Sequence, residues 1–289
     1  MERIEVDGLE IAFRRSGEGP PIVLLHGTAA DGRVWRTQLD ELADGFTVVA
    51  WDEPGAGGSS DPLEDFGLAE YADALAVFLA ALGLGPAHVG GLSWGGVLAQ
   101  ELYRRHPGAV ASLILADTYA GWKGSLSKAE CARRVVTILE QTSVPEEDFA
   151  AALQGLFGEH VPAGVVAELD AIMADARAGS VRSTSLALAG DDRRELLSQI
   201  EVPTLLIWGE SDVRSPLHVA DQLRENIPGA RLVVIPGAGH VSNMEQPAAF
   251  NRAVREFCAE VGERTSGRGG PDIRRQPSSG PRTGRRRRP

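Results

Sequence analysis

Short, uninterrupted apolar runs recur along this chain and alternate with stretches of helical periodicity. The runs occupy residues 22–25, 47–51, 87–92, 112–117, 204–208 and 231–235. A strand that is apolar on both faces is buried on both, as in a parallel sheet covered by helices. We therefore predict an α/β fold, with a mostly parallel twisted sheet and helices on both of its faces. Residues 2–6 and 10–14, around Asp7-Gly8, predict an antiparallel hairpin at one edge.

The alternation breaks between residues 118 and 202. Helical patterns cover residues 128–141, 146–157 and 164–176, and no clear strand is present. A structureless loop of this length is implausible inside a compact domain. We expect residues 1–118 and 201–262 to form the α/β core, with residues 119–200 inserted as a helical cap over the carboxyl edge of the sheet.

The charge is distributed unevenly. Residues 263–289 contain nine arginines and two acidic residues, so the net charge of −11 divides into +7 for this tail and −18 for residues 1–262. The tail has almost no large apolar residue, and we expect it to be disordered. An acidic body argues against nucleic-acid or anionic-membrane partners, although a role of Arg285–Arg288 in such binding stays open.

Other features of the composition exclude further classes of protein. No window approaches the roughly 18 apolar residues that span a bilayer, and the N-terminus lacks the apolar segment of a secretory signal. Cys131 and Cys258 are far apart and have no metal-ligand spacing around them. We therefore expect a cytoplasmic protein without a structural metal, a cofactor or a disulfide. The sequence does not indicate the oligomeric state.

A possible nucleophile lies between a strand and a helix. Gly91-Leu92-Ser93-Trp94-Gly95 matches the pattern G-x-S-x-G, with an apolar strand before it and a helical stretch after it. A sharp strand-to-helix turn lifts the serine hydroxyl out of the sheet toward a substrate. Without this context the pattern is weak, because Gly and Ser are common in turns. With it, we predict that Ser93 is a catalytic nucleophile.

A serine hydroxyl needs a base, and His240 is the best placed of six histidines. It lies on a glycine-rich turn, Pro236-Gly237-Ala238-Gly239-His240, directly after an apolar strand. The acid that orients it should end the neighbouring strand, as Asp212 does, 28 residues earlier. Asp117, at the end of the preceding strand, is the alternative acid.

Five motifs in order give the chain a recognisable pattern. They are His26-Gly27, Asp52-Glu53-Pro54-Gly55-Ala56-Gly57, the turn at Ser93, Gly209-Glu210-Ser211-Asp212 and Gly239-His240. With these motifs the chain resembles the α/β-hydrolase fold superfamily over about residues 1–262. It is most similar to single-domain esterases and lactonases with a helical cap. The resemblance implies that the backbone N–H groups of Thr28 and Trp94 form an oxyanion hole.

The resemblance also implies an activity. We expect a serine hydrolase that cleaves a small or medium uncharged ester, thioester or lactone through an acyl-enzyme on Ser93. The same triad in a C–C bond hydrolase or perhydrolase is an alternative, and so is a hydrolase-like receptor that binds a ligand with negligible turnover. A fluorophosphonate probe would distinguish an enzyme from a receptor.

Aromatic and other apolar residues are candidates for the substrate pocket. They are Trp35, Trp122, Phe149, Phe157 and Met173. At helical spacing most of those in the insertion could equally form the core of the cap. His26 is expected to brace the oxyanion loop, and Glu53 to be a solvated carboxylate.

Overall fold

The molecule is built on one eight-stranded sheet. The structure is a computed structural model, and it describes residues 1–62, 66–141, 155–159, 161–162 and 164–267. The strand order is β1-β2-β4-β3-β5-β6-β7-β8. The strands are β1 (Glu2–Val6), β2 (Leu9–Ser16), β3 (Pro21–Leu25), β4 (Thr47–Trp51), β5 (Ala87–Leu92), β6 (Val110–Ala116), β7 (Thr204–Gly209) and β8 (Arg231–Ile235). The predicted α/β fold class is confirmed.

Strand β2 runs antiparallel to both of its neighbours. It pairs antiparallel with β1 and with β4, whereas β3 to β8 pair in parallel. The turn between β1 and β2 places Asp7 at φ 47° and Gly8 at φ 82°. Two successive residues with positive φ suit the tight turn of a hairpin, where the sequence Asp-Gly is favoured.

Helices cover both faces of the sheet. They are α1 (Arg36–Glu41), α2 (Leu68–Ala81), α3 (Trp94–Arg105), α4 (Trp122–Ser125), α5 (Lys128–Gln141), α6 (Val165–Ala174), α7 (Ala178–Gly190), α8 (Arg194–Leu197), α9 (Leu217–Asn226), α10 (Ser242–Glu245) and α11 (Pro247–Gly267). None of these helices is long and apolar enough to cross a membrane.

The apolar runs are buried on both sides because alternate residues enter different cores. In β3, Val23 and Leu25 pack with α2, α3 and α9 on one face. Ile22 and Leu24 pack with α1 and α11 on the other. This alternation follows from the two-residue period of a strand. The parallel pairing of the strands places the carboxyl ends of β3, β5, β6, β7 and β8 at one edge of the sheet.

Helices α4 to α8 follow one another between β6 and β7, and we call them the cap. Helix α5 begins and ends where the helical pattern predicted. The predicted helix at 146–157 lies outside the described residues except for its last three, which form a turn rather than a helix. Helix α7 was not anticipated, because its sequence mixes Ser, Thr and Gly with the apolar residues.

The C-terminal helix extends into the segment that the sequence predicted to be disordered. Helix α11 continues to Gly267, so residues 263–267 are helical and do not belong to the predicted disordered tail. Once a helix is nucleated, each added residue gains one backbone hydrogen bond. Arg264 also lies 3.9 Å from Glu260, an i,i+4 pair that supports the last turns.

Candidate active site

Ser93 occupies the turn between β5 and α3. Its backbone has φ 54° and ψ −113°, a conformation that side-chain-bearing residues rarely adopt. The two flanking glycines make the turn possible. A Cβ on Gly91 would lie 2.2 Å from the carbonyl carbon of Gly95, and a Cβ on Gly95 would lie 2.2 Å from the Leu25 oxygen. The spacing G-x-S-x-G is therefore a packing requirement of this turn.

His240 and Asp212 meet at the carboxyl edge of the sheet. The Nδ1 atom of His240 is 2.8 Å from Oδ2 of Asp212, and both residues are buried. The other carboxylate oxygen of Asp212 accepts the backbone N–H groups of Arg214 at 2.7 Å and Ser215 at 2.9 Å. The backbone N–H of His240 donates to the Leu156 carbonyl at 2.7 Å. Both partners of the pair are thus held in place by backbone contacts.

The alternative acid, Asp117, has other partners. It is fully buried and accepts hydrogen bonds from Ser242 Oγ at 2.6 Å and from the Gly209 N–H at 2.8 Å. Burial raises its pKa well above the usual range, and the negative charge of Asp212 raises the pKa further. Of the two carboxyl groups, Asp212 is the one in contact with His240.

The loop after β3 approaches the serine. A Cβ on Gly27 would lie 3.5 Å from Ser93 Cβ, and Thr28, the next residue, borders the same cavity as Ser93. Trp94 is the first residue of α3, and an N–H at that position has no earlier helical carbonyl to bind. These are the two backbone groups that the family resemblance implies for the oxyanion hole.

His26 braces this loop as the sequence predicted. Its Nδ1 lies 2.9 Å from the Gly27 carbonyl, and its Nε2 accepts the Glu53 N–H at 3.1 Å. These contacts require a neutral imidazole with the proton on Nδ1. The side chain thereby links the loop after β3 to the loop after β4.

The family model described as alpha/beta hydrolase family matches residues 22–253. The chain belongs to the alpha/beta hydrolase family. A pimeloyl-[acyl-carrier protein] methyl ester esterase of Chromobacterium violaceum is 32% identical over 262 residues, which cover 83% of this chain and 94% of the relative.

Solved structures resemble this hydrolase in fold. A thermophilic esterase from Thermogutta terrifontis, with malate bound, has a TM-score of 0.83 at 29% identity, covering 90% of this chain and 99% of its own. The enol-lactonase from Burkholderia xenovorans LB400 has a TM-score of 0.75 at 25% identity, covering 89% of this chain and 100% of its own.

A cavity of about 420 Å³ lies between the core and the cap of the hydrolase. Ser93, His240 and Thr28 border it from the core side. Two predicted pocket residues, Trp122 and Met173, border it from the cap. Apolar side chains form much of the wall, but Arg133, Arg134 and Arg214 also line it. The wall is therefore less apolar than the sequence predicted.

Two other predicted pocket residues lie elsewhere in the hydrolase. Trp35 is buried and packs against Phe250, with ring centroids 5.9 Å apart; it is not part of the cavity wall. Phe157 is half-buried and packs against the same core, also away from the wall. Large aromatic residues fill cores as readily as pockets, and the sequence cannot separate these roles. Phe149 lies outside the described residues.

Glu53 of the hydrolase is buried, so the prediction of a solvated carboxylate is wrong. It is 3% exposed and accepts the indole N–H of Trp94 at 2.6 Å. Burial raises the pKa of the Glu53 carboxyl, whereas the Trp94 hydrogen bond opposes the rise. The sequence predicts an exposed loop here, because the segment after the strand is rich in glycine. The contact between Glu53 and Trp94 joins distant parts of the chain, and no sequence pattern indicates it.

Sequence reasoning also missed residues that shape the hydrolase site. Tyr119 donates its hydroxyl to the Arg214 carbonyl at 2.8 Å, and its ring centroid is 6.3 Å from that of His240. Tyr119 lies three residues after the end of β6, and this position near a strand end was the sequence signal that could have identified it.

Within the described part of the chain, no group of three or more His, Cys, Asp or Glu side chains is placed to hold a metal ion.

Proposed function

We propose that this hydrolase cleaves a carboxylic ester, thioester or lactone through an acyl-enzyme on Ser93. One observation carries the proposal. The Nδ1 atom of His240 lies 2.8 Å from Asp212, and Ser93 and His240 border the same cavity. A hydroxyl, an imidazole and a carboxylate in this order are the components of nucleophilic acyl transfer.

The histidine contact determines which nitrogen acts as the base. Asp212 accepts the proton on Nδ1, so Nε2 carries the lone pair that can take a proton from the Ser93 hydroxyl. As that proton moves, Ser93 Oγ bonds to the carbonyl carbon, and Asp212 stabilises the imidazolium. The imidazolium then gives its proton to the departing alcohol or thiol. A water molecule then gives a proton to His240 while its oxygen bonds to the acyl carbon. The bond to Ser93 Oγ breaks, the acid leaves, and His240 returns the proton to Ser93.

Backbone N–H groups receive the negative charge that forms on the carbonyl oxygen. In the proposal these donors are Thr28, in the loop after β3, and Trp94, at the start of α3. Both are fixed by the fold before a substrate arrives, and one such donor is typically worth about 3 kcal/mol of barrier. The N-terminal end of α3 favours the same negative charge.

The comparisons support this bond type and do not identify the substrate. The relatives include a methyl ester esterase, a thermophilic esterase and an enol-lactonase. All three names describe attack on an acyl carbon bound to oxygen. The two donors, the base and the nucleophile proposed here serve that chemistry whatever the leaving group is.

A fluorophosphonate probe and an ester substrate test the proposal together. We expect the probe to label the wild-type protein at Ser93, and a 4-nitrophenyl ester to give a burst of nitrophenolate. Ser93→Ala abolishes both. Ser185→Ala, which alters another serine in the cavity wall, retains labelling. Undiminished ester hydrolysis in Ser93→Ala would overturn the proposal.

A further inference from the structure

The cavity wall is positively charged in a chain whose body is acidic. Arg133, Arg134 and Arg214 line the cavity, and the lining residues within the described part of the chain include no Asp or Glu. Residues 1–262 carry a net charge of −18, so the sign of this wall is opposite to that of the body. A cavity lined by one sign of charge, with low-dielectric walls, concentrates ligands of the other sign.

Arg134 is held firmly and still has hydrogen-bonding capacity. Its Nε donates to Glu130 at 2.7 Å, its Nη1 to the Tyr119 hydroxyl at 3.2 Å and its Nη2 to the Arg214 carbonyl at 2.8 Å. Its Cζ lies 5.3 Å from the centroid of the Trp122 ring, and the side chain is 13% exposed. A guanidinium has five N–H groups. These contacts use three, which leaves one on each Nη atom.

Trp122 supplies a second donor on the same wall. The residue is 6% exposed and lines the cavity. Its indole N–H has no hydrogen-bond acceptor among the described residues. A buried donor without an acceptor is costly, so an acceptor brought by a ligand is favoured at this position.

We propose that the natural substrate carries a carboxylate that binds Arg134 and the indole N–H of Trp122. The inference rests on the ester hydrolysis proposed above and replaces the uncharged substrate expected from the sequence. Arg133 and Arg134 both pair with Glu130, so this part of α5 keeps one positive charge. One positive charge matches a carboxylate better than a phosphate monoester, which carries nearly two negative charges.

Matched esters test the inference. Monoethyl adipate and ethyl hexanoate have acyl chains of the same length and differ at the terminal group, carboxylate or methyl. The readout is the ratio of their kcat/KM values, with pairs of four-carbon and eight-carbon acyl chains measured alongside. We expect at least one wild-type pair to favour the anionic ester by about tenfold or more, the effect of one hydrogen bond to a charged group.

Variants distinguish a direct contact with Arg134 from a general effect of positive charge on the cap. Arg134→Gln and Trp122→Phe should each lower the ratio, the first by about tenfold, and Arg134→Lys should recover part of the loss. Arg182→Gln removes an exposed arginine of the cap outside the cavity wall and should leave the ratio unchanged. Circular dichroism checks the fold of each variant. Ratios of one or below in every pair, or a ratio unaffected by Arg134→Gln, would overturn the inference.

A binding measurement separates this inference from the hydrolysis that it builds on. In Ser93→Ala protein, calorimetry should detect monoethyl adipate bound about tenfold more tightly than ethyl hexanoate, and the added Arg134→Gln change should remove the difference. Binding of the anion without turnover in the wild type would refute the ester hydrolysis and support the site. Equal binding of the two esters would refute the site.

Discussion

The Asp117 carboxylate accepts a hydrogen bond from the Ser242 hydroxyl at 2.6 Å, so the second acidic residue is bonded to the histidine loop and not to the imidazole. Ser242 follows His240 by two residues and begins α10. The same carboxylate binds the N–H of Gly209 at the end of β7. Asp117 thereby connects the loop that carries His240 with the loop that carries Asp212.

The two acids should differ in their effect on catalysis. Asp212→Asn replaces the acceptor of the His240 Nδ1 proton, and we expect kcat to fall by about 10³–10⁴-fold. Asp117→Asn keeps one acceptor oxygen and acts on His240 only through Ser242, so its loss should be at least about 100-fold smaller. Steady-state hydrolysis of a 4-nitrophenyl ester measures both. Equal losses would identify Asp117 as a direct partner of the histidine.

Gly95, two residues after Ser93, should be irreplaceable for packing reasons. In Gly95→Ala the new Cβ would lie 2.2 Å from the Leu25 oxygen, so the strand or the helix must move. We expect the free energy of unfolding to fall by more than about 3 kcal/mol, or the protein to fail to fold. Gly108→Ala is the control, because nothing lies within 4 Å of its Cβ position. Urea unfolding compares them, and similar stabilities would contradict the close contact.

The Trp94–Glu53 hydrogen bond should stabilise the fold in a pH-dependent way. Trp94→Phe leaves the buried Glu53 carboxyl without its indole donor, and we expect a loss of about 2 kcal/mol at pH 7. That donor stabilises the ionised carboxyl, whose pKa burial already raises. Removing it raises the pKa further, so the loss should be largest at high pH and smaller at pH 5, where more of the carboxyl is protonated.

A double-mutant cycle isolates this contact from the smaller size of phenylalanine. In a Glu53→Gln background the acceptor is neutral at every pH. The cost of Trp94→Phe should then be about 1 kcal/mol smaller and independent of pH. If the cost is the same in both backgrounds, the negative charge of the Glu53 carboxylate adds nothing to this hydrogen bond.

His88 should make the fold sensitive to mild acid. The imidazole is buried beside Ser112, 2.7 Å from its hydroxyl, and burial lowers its pKa from 6.5 to about 4. Between these values the unfolded chain binds the proton and the folded chain does not. The contribution of His88 to stability is therefore complete above pH 6.5 and is lost as the pH falls toward 4.

Urea unfolding at pH 7 and pH 5 measures this loss. From pH 7 to pH 5 we expect the wild type to lose about 2 kcal/mol more than His88→Gln, whose side chain does not titrate. Equal losses in the two proteins would show that His88 keeps its ordinary pKa.

The sheet and the catalytic candidates were predictable because they depend on local patterns. Continuous apolar runs such as residues 22–25 mark buried strands, since alternate residues enter the two cores. The carboxyl ends of parallel strands share one edge, so Ser93, Asp212 and His240 could be assigned to one place from their positions at strand ends. Gly91 and Gly95 mark a turn in which the backbone is packed so closely that a Cβ at either position would clash.

The cavity wall was less predictable because it depends on contacts between distant segments. Trp35 and Trp122 look alike in sequence, yet one packs on Phe250 and the other faces the cavity. Glu53 is buried only because α3 presents Trp94 to it. Neither distinction follows from periodicity. Residues 263–267 were assigned to the disordered tail, but a polar segment can extend a helix that is already nucleated by apolar contacts.

The carbonyl of Arg214 has a consequence for exchanging parts between related enzymes. This carbonyl accepts hydrogen bonds from the Tyr119 hydroxyl in the core and from the Arg134 side chain in α5. The backbone N–H of Arg214 donates to Asp212. A cap transplanted from a relative without an equivalent of Arg134 would remove one of these contacts from the loop that carries Asp212. A chimera therefore has to carry α5 and the 212–215 loop together.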